Sequence, residues 1–454
     1  MLETAPHYWT PPTPVRAPWM EDRFRVRLDP FPFPFALLFF VGFMLGVEEQ
    51  LSGTLFLGEI LLALAACLGV ALNIGNGKFW SKDLYRVLWW LGVSCAAYIF
   101  TDILAGNSTT NLLRGWARMG FLATDILGLY CICRKNRFNL FPIFVGLAFS
   151  AFFMPHSTLQ GDFAIRWKFD LAFSWVSSAC IVAGFLSRRH AAVYANLCLI
   201  PIGVFSIALD SRLVGGVCIT VAVVLLAQLI TSRRMKKLLV AVLAMTVAAG
   251  ALATYTLLIR TDVDYAKRRE ESNVARLTAI LTAAQRIEQH PLLGTGSWNL
   301  NEEYLNLHRA NTIYLGGKYV ATGMALGHSQ ILQAAVEAGI FGSVFFIYFL
   351  ICLTQALWWV VKRPLDRFSA FAMFNLVMCI WHCLFSPQGG SQRIEIATGV
   401  CICLLMAAEK RRLRKYSVIK DRQAVARLCP TNRRWRSTLF WMPLSAVRKP
   451  AADP

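Results

Sequence analysis

The sequence predicts an all-α fold, a polytopic transmembrane bundle of about 12 spans carrying one large extracytoplasmic loop domain that contains short helices. Three observations carry this reading. Hydrophobic residues make up 56% of the 454 positions and charged residues only 16%. Several apolar runs approach the roughly 20 residues needed to cross a bilayer. Between two such runs, Leu258 to Gly342 encloses a polar stretch of roughly 70 residues, a length that marks a functional loop in a chain whose other connections are short.

The spans are expected near residues 33–47, 54–74, 85–104, 112–133, 139–155, 168–187, 191–209, 213–231, 238–258, 330–358, 368–385 and 393–409. Residues 1–30, rich in proline and arginine, are expected to be a flexible cytoplasmic arm, with no h-region of a cleavable signal peptide evident. The chain thus divides into that arm, spans one to nine over 31–258, the outer loop over 259–329, spans ten to twelve over 330–409 and a basic tail over 410–454.

Charge sets the orientation. With both termini in the cytoplasm, 32 of the 46 Lys and Arg fall on inner segments and 14 on outer ones, as the positive-inside rule requires. The net charge of +20 is therefore a topology signal and not a nucleic-acid footprint, with attraction of the tail to anionic membrane lipids as its extra consequence. Within the outer loop, eight Lys and Arg nearly balance seven Asp and Glu. The 13 cysteines lie singly or as Cys-x-Cys pairs in apolar runs, apart from Cys429, so neither a disulfide framework nor a zinc site is expected. No Walker loop is present, and chemistry on the outer face must use a substrate that arrives already activated.

Along the chain, Glu59, Asp102 and Asp125 are ionisable groups at membrane depth, where such groups face the bundle interior or a wet cavity and serve as ion pairs or functional groups. Arg114 and Arg118, four apart, share one face of the fourth span. They either snorkel outward or bind a phosphorylated lipid headgroup. Ser211 and Arg212 occupy a tight outer hairpin, where Arg212 either pairs with Asp210 or binds an anion with its planar fork.

In the loop, Glu271 to Gln289 reads as an amphipathic helix with Val274, Leu277, Ile280, Leu281, Ala284 and Ile287 on one stripe. If that stripe lies on the membrane domain, Arg276 at its edge reaches a substrate there and Arg286 points away. The segment His290 to Trp298 breaks the helix with Pro291, Gly294 and Gly296. His328 stands at the start of the tenth span, where unpaired backbone N–H groups favour a neutral imidazole able to take a proton from a hydroxyl. Ser329 follows it, Glu337 lies further into the span, and Gly339 and Gly342 allow close packing or a bend. His382, near the outer end of the eleventh span, is the competing histidine.

These residues carry a resemblance. Arg276-Leu277, then Ile287-Glu288-Gln289-His290-Pro291-Leu292-Leu293-Gly294-Thr295-Gly296, then His328-Ser329-Gln330-Ile331-Leu332-Gln333 and Glu337-Ala338-Gly339-Ile340-Phe341-Gly342 resemble the signature of the O-antigen ligase and O-antigen polymerase superfamily. Ser211-Arg212 matches the family's Ser-Arg step, and the close match covers residues 205–345. Ser329 stands where the family usually has asparagine, and Ile280 where a tryptophan is common.

The resemblance implies a multi-pass enzyme of the bacterial inner membrane, a metal-independent, inverting C-type glycosyltransferase that needs no cofactor. It implies a glycan donor linked to undecaprenyl diphosphate and an acceptor hydroxyl on a growing glycan or on lipid A core, with no nucleic-acid partner. By motif, Arg212 and Arg276 bind the diphosphate, assisted by Arg114 or Arg118, and His328 acts on the acceptor. Ser211, Ser329 and Glu337 support the site. Ligase and polymerase activities stay unseparated, and protein O-oligosaccharyl transfer is a third acceptor choice. A transporter or flippase of lipid-linked saccharides is the alternative of another class, although the sequence shows no repeated halves with broken midplane helices.

Overall fold

The computed structural model describes residues 33–50, 54–75, 79–154, 163–186, 190–209, 211–229, 263–317, 328–386 and 392–428. The N-terminal arm, the ninth expected span at 238–258, Asp210 and the end of the tail lie outside these residues. The described chain is mostly helical. Its helices are α1 (Phe33–Met44), α2 (Leu57–Ala71), α3 (Lys82–Leu104), α4 (Thr109–Cys133), α5 (Leu140–Phe153), α6 (Ala172–Leu186), α7 (Ala191–Ala208), α8 (Arg212–Leu229), α9 (Val263–Gln289), α10 (Glu302–Tyr314), α11 (Gln330–Lys362), α12 (Ser369–Phe385) and α13 (Gln392–Leu428). Among the described residues, α3, α4, α8 and α11 are long and apolar enough to cross a membrane, and α1, α2, α5, α6, α7 and α12 are shorter apolar helices. The chain is a membrane protein of helical architecture, and its apolar helices start and stop close to the expected spans.

Three features depart from the expected plan. A two-stranded antiparallel hairpin, β1 (Glu48–Gln50) with β2 (Thr54–Phe56), sits between α1 and α2 in a fold expected to be wholly α. Strands of three residues are too short to leave a periodic signal. The segment before α6 runs through a π-helical stretch, Trp167–Leu171, anchored where Trp167 Nε1 donates to Ser206 Oγ at 3.0 Å. Finally, α13 passes through the expected tail boundary at residue 409 and continues to Leu428, a stretch dominated by the good helix formers Ala, Gln, Lys, Arg and Leu.

Polar caps fix where helices begin. Ser81 Oγ accepts from Leu84 N at 3.2 Å to open α3, Asn301 Oδ1 from Tyr304 N at 2.9 Å to open α10, and Ser329 Oγ from Leu332 N at 3.0 Å to open α11. The bundle is built around α11, which packs against α3, α12 and α13. Ser94 on α3 donates to the Phe341 carbonyl at 3.2 Å and accepts from Phe345 N at 3.1 Å, while Tyr98 meets Glu337, so α3 and α11 run antiparallel. Gln228 at the end of α8 donates to the Val361 carbonyl, and Gly184 near the end of α6 packs on the Arg367 carbonyl. These contacts collect the C-terminal ends of α6, α8 and α11 at one end of the bundle. The start of α8, the start of α11 and the end of α3 therefore share the other end, called here the loop end.

Most charges inside the bundle are matched, Asp125 being a buried carboxylate with neither oxygen hydrogen-bonded among the described residues. Arg393 on α13 forms a two-pronged pair with the fully buried Glu59 of α2, at 2.6 and 2.8 Å, and Glu59 also accepts from Phe56 N at 3.1 Å. Fully buried Asp125 lies beside this pair. At the far end, Arg137 and Arg363 share Asp366 and Glu409, with the closest contacts at 2.7 Å (Arg137–Asp366) and 2.6 Å (Arg363–Glu409). Removing one member of a buried pair strands the other charge. We expect Arg393→Met to lower stability by about 3–5 kcal/mol, and Glu59→Leu combined with Arg393→Met to recover most of the loss. Thermal unfolding in detergent measures both.

Candidate functional site

The loop end is organised by a break in α11. Ala338 (φ −134°, ψ 23°) and Gly339 (φ 65°, ψ −164°) leave helical geometry in mid-helix, which frees carbonyls that would otherwise bond along the helix. The segment that follows α9 takes them. Thr295 N donates to the Val336 carbonyl at 2.8 Å, Gly296 N to the Glu337 carbonyl at 2.9 Å, and Ile340 N donates back to the Pro291 carbonyl at 2.9 Å. Backbone meets backbone here. A Cβ on Gly339 would stand 2.0 Å from the Leu292 carbonyl oxygen, and one on Gly294 (φ 65°) 2.6 Å from that of Val336.

Two buried carboxylates pin the same segment. Asp102, at the end of α3, accepts from Ser297 N at 2.5 Å, Ser297 Oγ at 2.8 Å, Asn107 Nδ2 at 2.8 Å and Trp116 Nε1 at 3.0 Å. Glu337 accepts from Tyr98 Oη at 2.9 Å, Trp298 N at 3.3 Å and Gln333 Nε2 at 3.4 Å, and forms an ion pair with Arg118. The Arg118 guanidinium lies between two rings, 5.2 Å from the Tyr98 centroid and 5.7 Å from that of Trp298. Of the two arginines expected on α4, Arg118 is buried against Glu337 while Arg114 is exposed.

The outer helix α9 packs differently from its expected stripe. It begins at Val263 and not Glu271, and its buried face is Thr278, Ala279, Thr282, Ala283 and Arg286, while Leu277 and Ile280 stay 54% and 40% exposed. Arg286, expected to point away, is 2% exposed because α10 supplies its partners: Glu303 at 2.6 Å and Asn301 at 3.4 Å. Its hydrogen bond, and then its charge, hold the Glu303 carboxyl below the usual range. Asn311 of α10 likewise donates to Thr282 and Gln285, at 3.0 and 2.7 Å. A small apolar contact of Ala283, Tyr304 and Val336, with Ile287 and Leu332 around it, seats the α9–α10 pair on α11.

His328 precedes the Ser329 cap of α11 and is half-buried. Burial, and then the nearby charge of Arg276 on exposed α9 surface, push its imidazole below the ordinary histidine value, against weaker opposing effects of its own backbone and that of Phe385. The neutral imidazole expected from the helix start is thus favoured by burial and by Arg276. Arg276 is near enough to His328 for its charge to act on the imidazole. Arg212 reaches the same end from α8, a helix packed on α7 and α12, with Ser211 buried and its N–H donated to the Ser206 carbonyl at 2.8 Å. The competing His382 is buried on α12 with Nε2 2.8 Å from Glu395 Oε2, close enough for an ion pair but not aligned for a hydrogen bond. Among the described residues no group of three or more His, Cys, Asp or Glu is placed to hold a metal ion.

The sequence reading missed the partnership of Asp102 with Ser297 and of Arg118 with Glu337. Opposite charges at the same membrane depth on α4 and α11 were the available signal for the second; nothing local marks the first.

Residues 197–347 match the family model described as O-Antigen ligase, which bears out the resemblance drawn from the motifs and supports a membrane protein of the ligase and polymerase superfamily. A comparison with curated proteins finds no match.

Forcing a side chain into the backbone contact tests the docking. Gly339→Ala must hold a positive φ with ψ near 180°, a region that is essentially glycine's alone, at about 1–3 kcal/mol, and also displace the Leu292 carbonyl. It should expose residues 290–301 to protease, whereas Gly92→Ala, with nothing within 4 Å of its new Cβ, should leave the digestion pattern unchanged.

Proposed function

We propose that this chain, whose residues 197–347 carry the O-antigen ligase match, transfers a glycan from a polyprenyl diphosphate to an acceptor hydroxyl at the loop end of the bundle. The observation that carries the reading is His328, half-buried, held neutral and set beside Arg276 at the mouth of α11. In this reading the enzyme lies in a bacterial inner membrane with its loop end outside. The donor is linked to undecaprenyl diphosphate, and the acceptor is a growing glycan or lipid A core.

Arg212 and Arg276, with exposed Arg114, hold the diphosphate by charge and forked hydrogen bonds. Arg118, matched by Glu337, supports the shape of the site instead of sharing in that grip. The acceptor oxygen attacks the anomeric carbon and gives its proton to the imidazole of His328. The new C–O bond forms as the bond to the diphosphate oxygen breaks, and the leaving group takes the bonding electrons. Fixed guanidinium groups meet the charge that develops there. A single displacement inverts the anomeric centre, and release of the intact polyprenyl diphosphate from the activated glycosyl donor supplies the driving force.

Transfer assayed with a synthetic polyprenyl-diphosphate glycan and candidate acceptors decides the reading. His328→Ala should abolish product while leaving donor binding intact. Loss with His382→Ala and retention with His328→Ala would move the base to His382. No product from any acceptor, with donor instead carried across vesicles, would favour a transporter. After deletion, bare core with lipid-linked polymer marks a ligase, and a single repeat unit on the core marks a polymerase.

The pH profile carries a sign. A histidine with its pKa lowered stays neutral below the ordinary value of about 6.5, so transfer should persist through that pH and fail only in more acid solution. Arg276→Gln removes one lowering charge and should move the acid limb of the residual activity to higher pH.

A further inference from the structure

The segment from Pro291 to Trp298 belongs to the extracytoplasmic loop by sequence, yet its contacts lie well inside the bundle. On α3, Ser94 sits ten residues before Leu104 and is level with Phe341 and Phe345. At 1.5 Å per residue that level is about 15 Å below the end of the helix. Tyr98, level with Glu337, lies about 9 Å below it. Gly339 falls between these two levels, and the Leu292 backbone packs directly on Gly339. The exposed surface of α3 continues apolar to its last turn, with Phe100, Ile103 and Leu104 at 55%, 63% and 59% exposure, so an apolar layer suited to hydrocarbon extends to the level of Leu104. Leu292 and Leu293 therefore lie about 10 Å beneath the top of the apolar layer.

At that depth these two leucines are uncovered. Leu292 is 61% exposed and Leu293 42%, and they continue the surface of Ile340 and Phe341, 52% and 50% exposed on α11. Irregular backbone is tolerated at membrane depth only where protein satisfies its polar groups. The Thr295 and Gly296 amides and the Pro291 carbonyl meet that condition through the break in α11, Gly294 N donates to the His290 carbonyl at 3.1 Å, and the exposed side chains of the stretch, Pro291, Leu292 and Leu293, are apolar.

We propose that residues 291–298 form a re-entrant segment whose Leu292 and Leu293 insert among the acyl chains of the surrounding bilayer, so that the outer loop is anchored in the membrane as well as tethered by its two ends. Continuity with Ile340 and Phe341, together with the depth of Gly339, selects bilayer lipid as the occupant of this surface.

Photo-crosslinking of the full chain in its native membrane tests this. Leu292, Ile351 and Glu302 are replaced one at a time by p-benzoyl-phenylalanine, with Leu293 carrying the test if the Leu292 variant does not fold. Ile351, 50% exposed on α11, reports lipid, and exposed Glu302 on α10 reports water. After irradiation, mass spectrometry should find glycerophospholipid adducts at Leu292 in a yield like that at Ile351 and none at Glu302. Adducts at Ile351 alone would place the segment in water and overturn the proposal. Polyprenyl adducts alone at Leu292 would also overturn it, in favour of a cleft for an isoprenoid chain.

Discussion

A backbone amide at membrane depth has no water to bond to, and the arrangement of the loop end follows from that constraint. The chain brings a non-helical segment, Pro291 to Trp298, against the middle of α11, at a level the proposal above places within the bilayer. Its amides need acceptors, and an unbroken helix offers none, because each carbonyl is already spent four residues on. The break at Gly339 releases the Val336 and Glu337 carbonyls, and Thr295 and Gly296 take both. A helix defect and a loop that would be costly apart become one satisfied unit together.

The same economy governs charge. Burying a lone ion costs several kcal/mol, so each buried ion at the loop end is held by partners from another helix. Glu337 takes Arg118, Glu59 takes Arg393, and Asp102 is ringed by four donors. Arg114, Arg212 and Arg276 differ in being exposed at that end. An exposed guanidinium keeps its charge and gives up its water at lower cost than a lysine ammonium, which suits it to an incoming diphosphate. Burial thus divides the arginines into those matched inside the fold and those exposed at its loop end.

How far the sequence alone reached depends on whether a feature is local. Apolar runs located the helices to within a few residues, since their signal is the run itself; Lys82 opens α3 three residues before the expected start because Ser81 can cap it. The bend at Gly339 was half-legible, because a glycine permits a bend without requiring one. The face of α9 was misread because hydrophobic periodicity ranks Leu277 and Ile280 above Arg286, whereas Glu303 and Asn301 on α10 make Arg286 the better residue to bury. Arg118 and Glu337 stand 219 residues apart, and no local pattern couples them. His328 and Arg276 were both singled out, but their proximity depends on how α9 and α10 seat on α11, a contact of few residues.

That dependence ties the proposed chemistry to the break in α11. The stretch from Gln330 to Glu337 is held from three sides: by the α9–α10 contact at Val336, by Arg118 and Tyr98 at Glu337, and by the re-entrant segment at its last carbonyls. His328 projects from the start of this stretch, one residue before its Ser329 cap, and Arg276 projects from the helix seated upon it. Histidine and arginine therefore share one platform. A shift of the loop would move the two together, preserving the field that keeps the imidazole neutral while changing its distance to Arg212 on the separately packed α8. In the proposed reaction the two ends of the displacement thus sit on separately packed elements, His328 with Arg276 on α11 and α9 and Arg212 on α8.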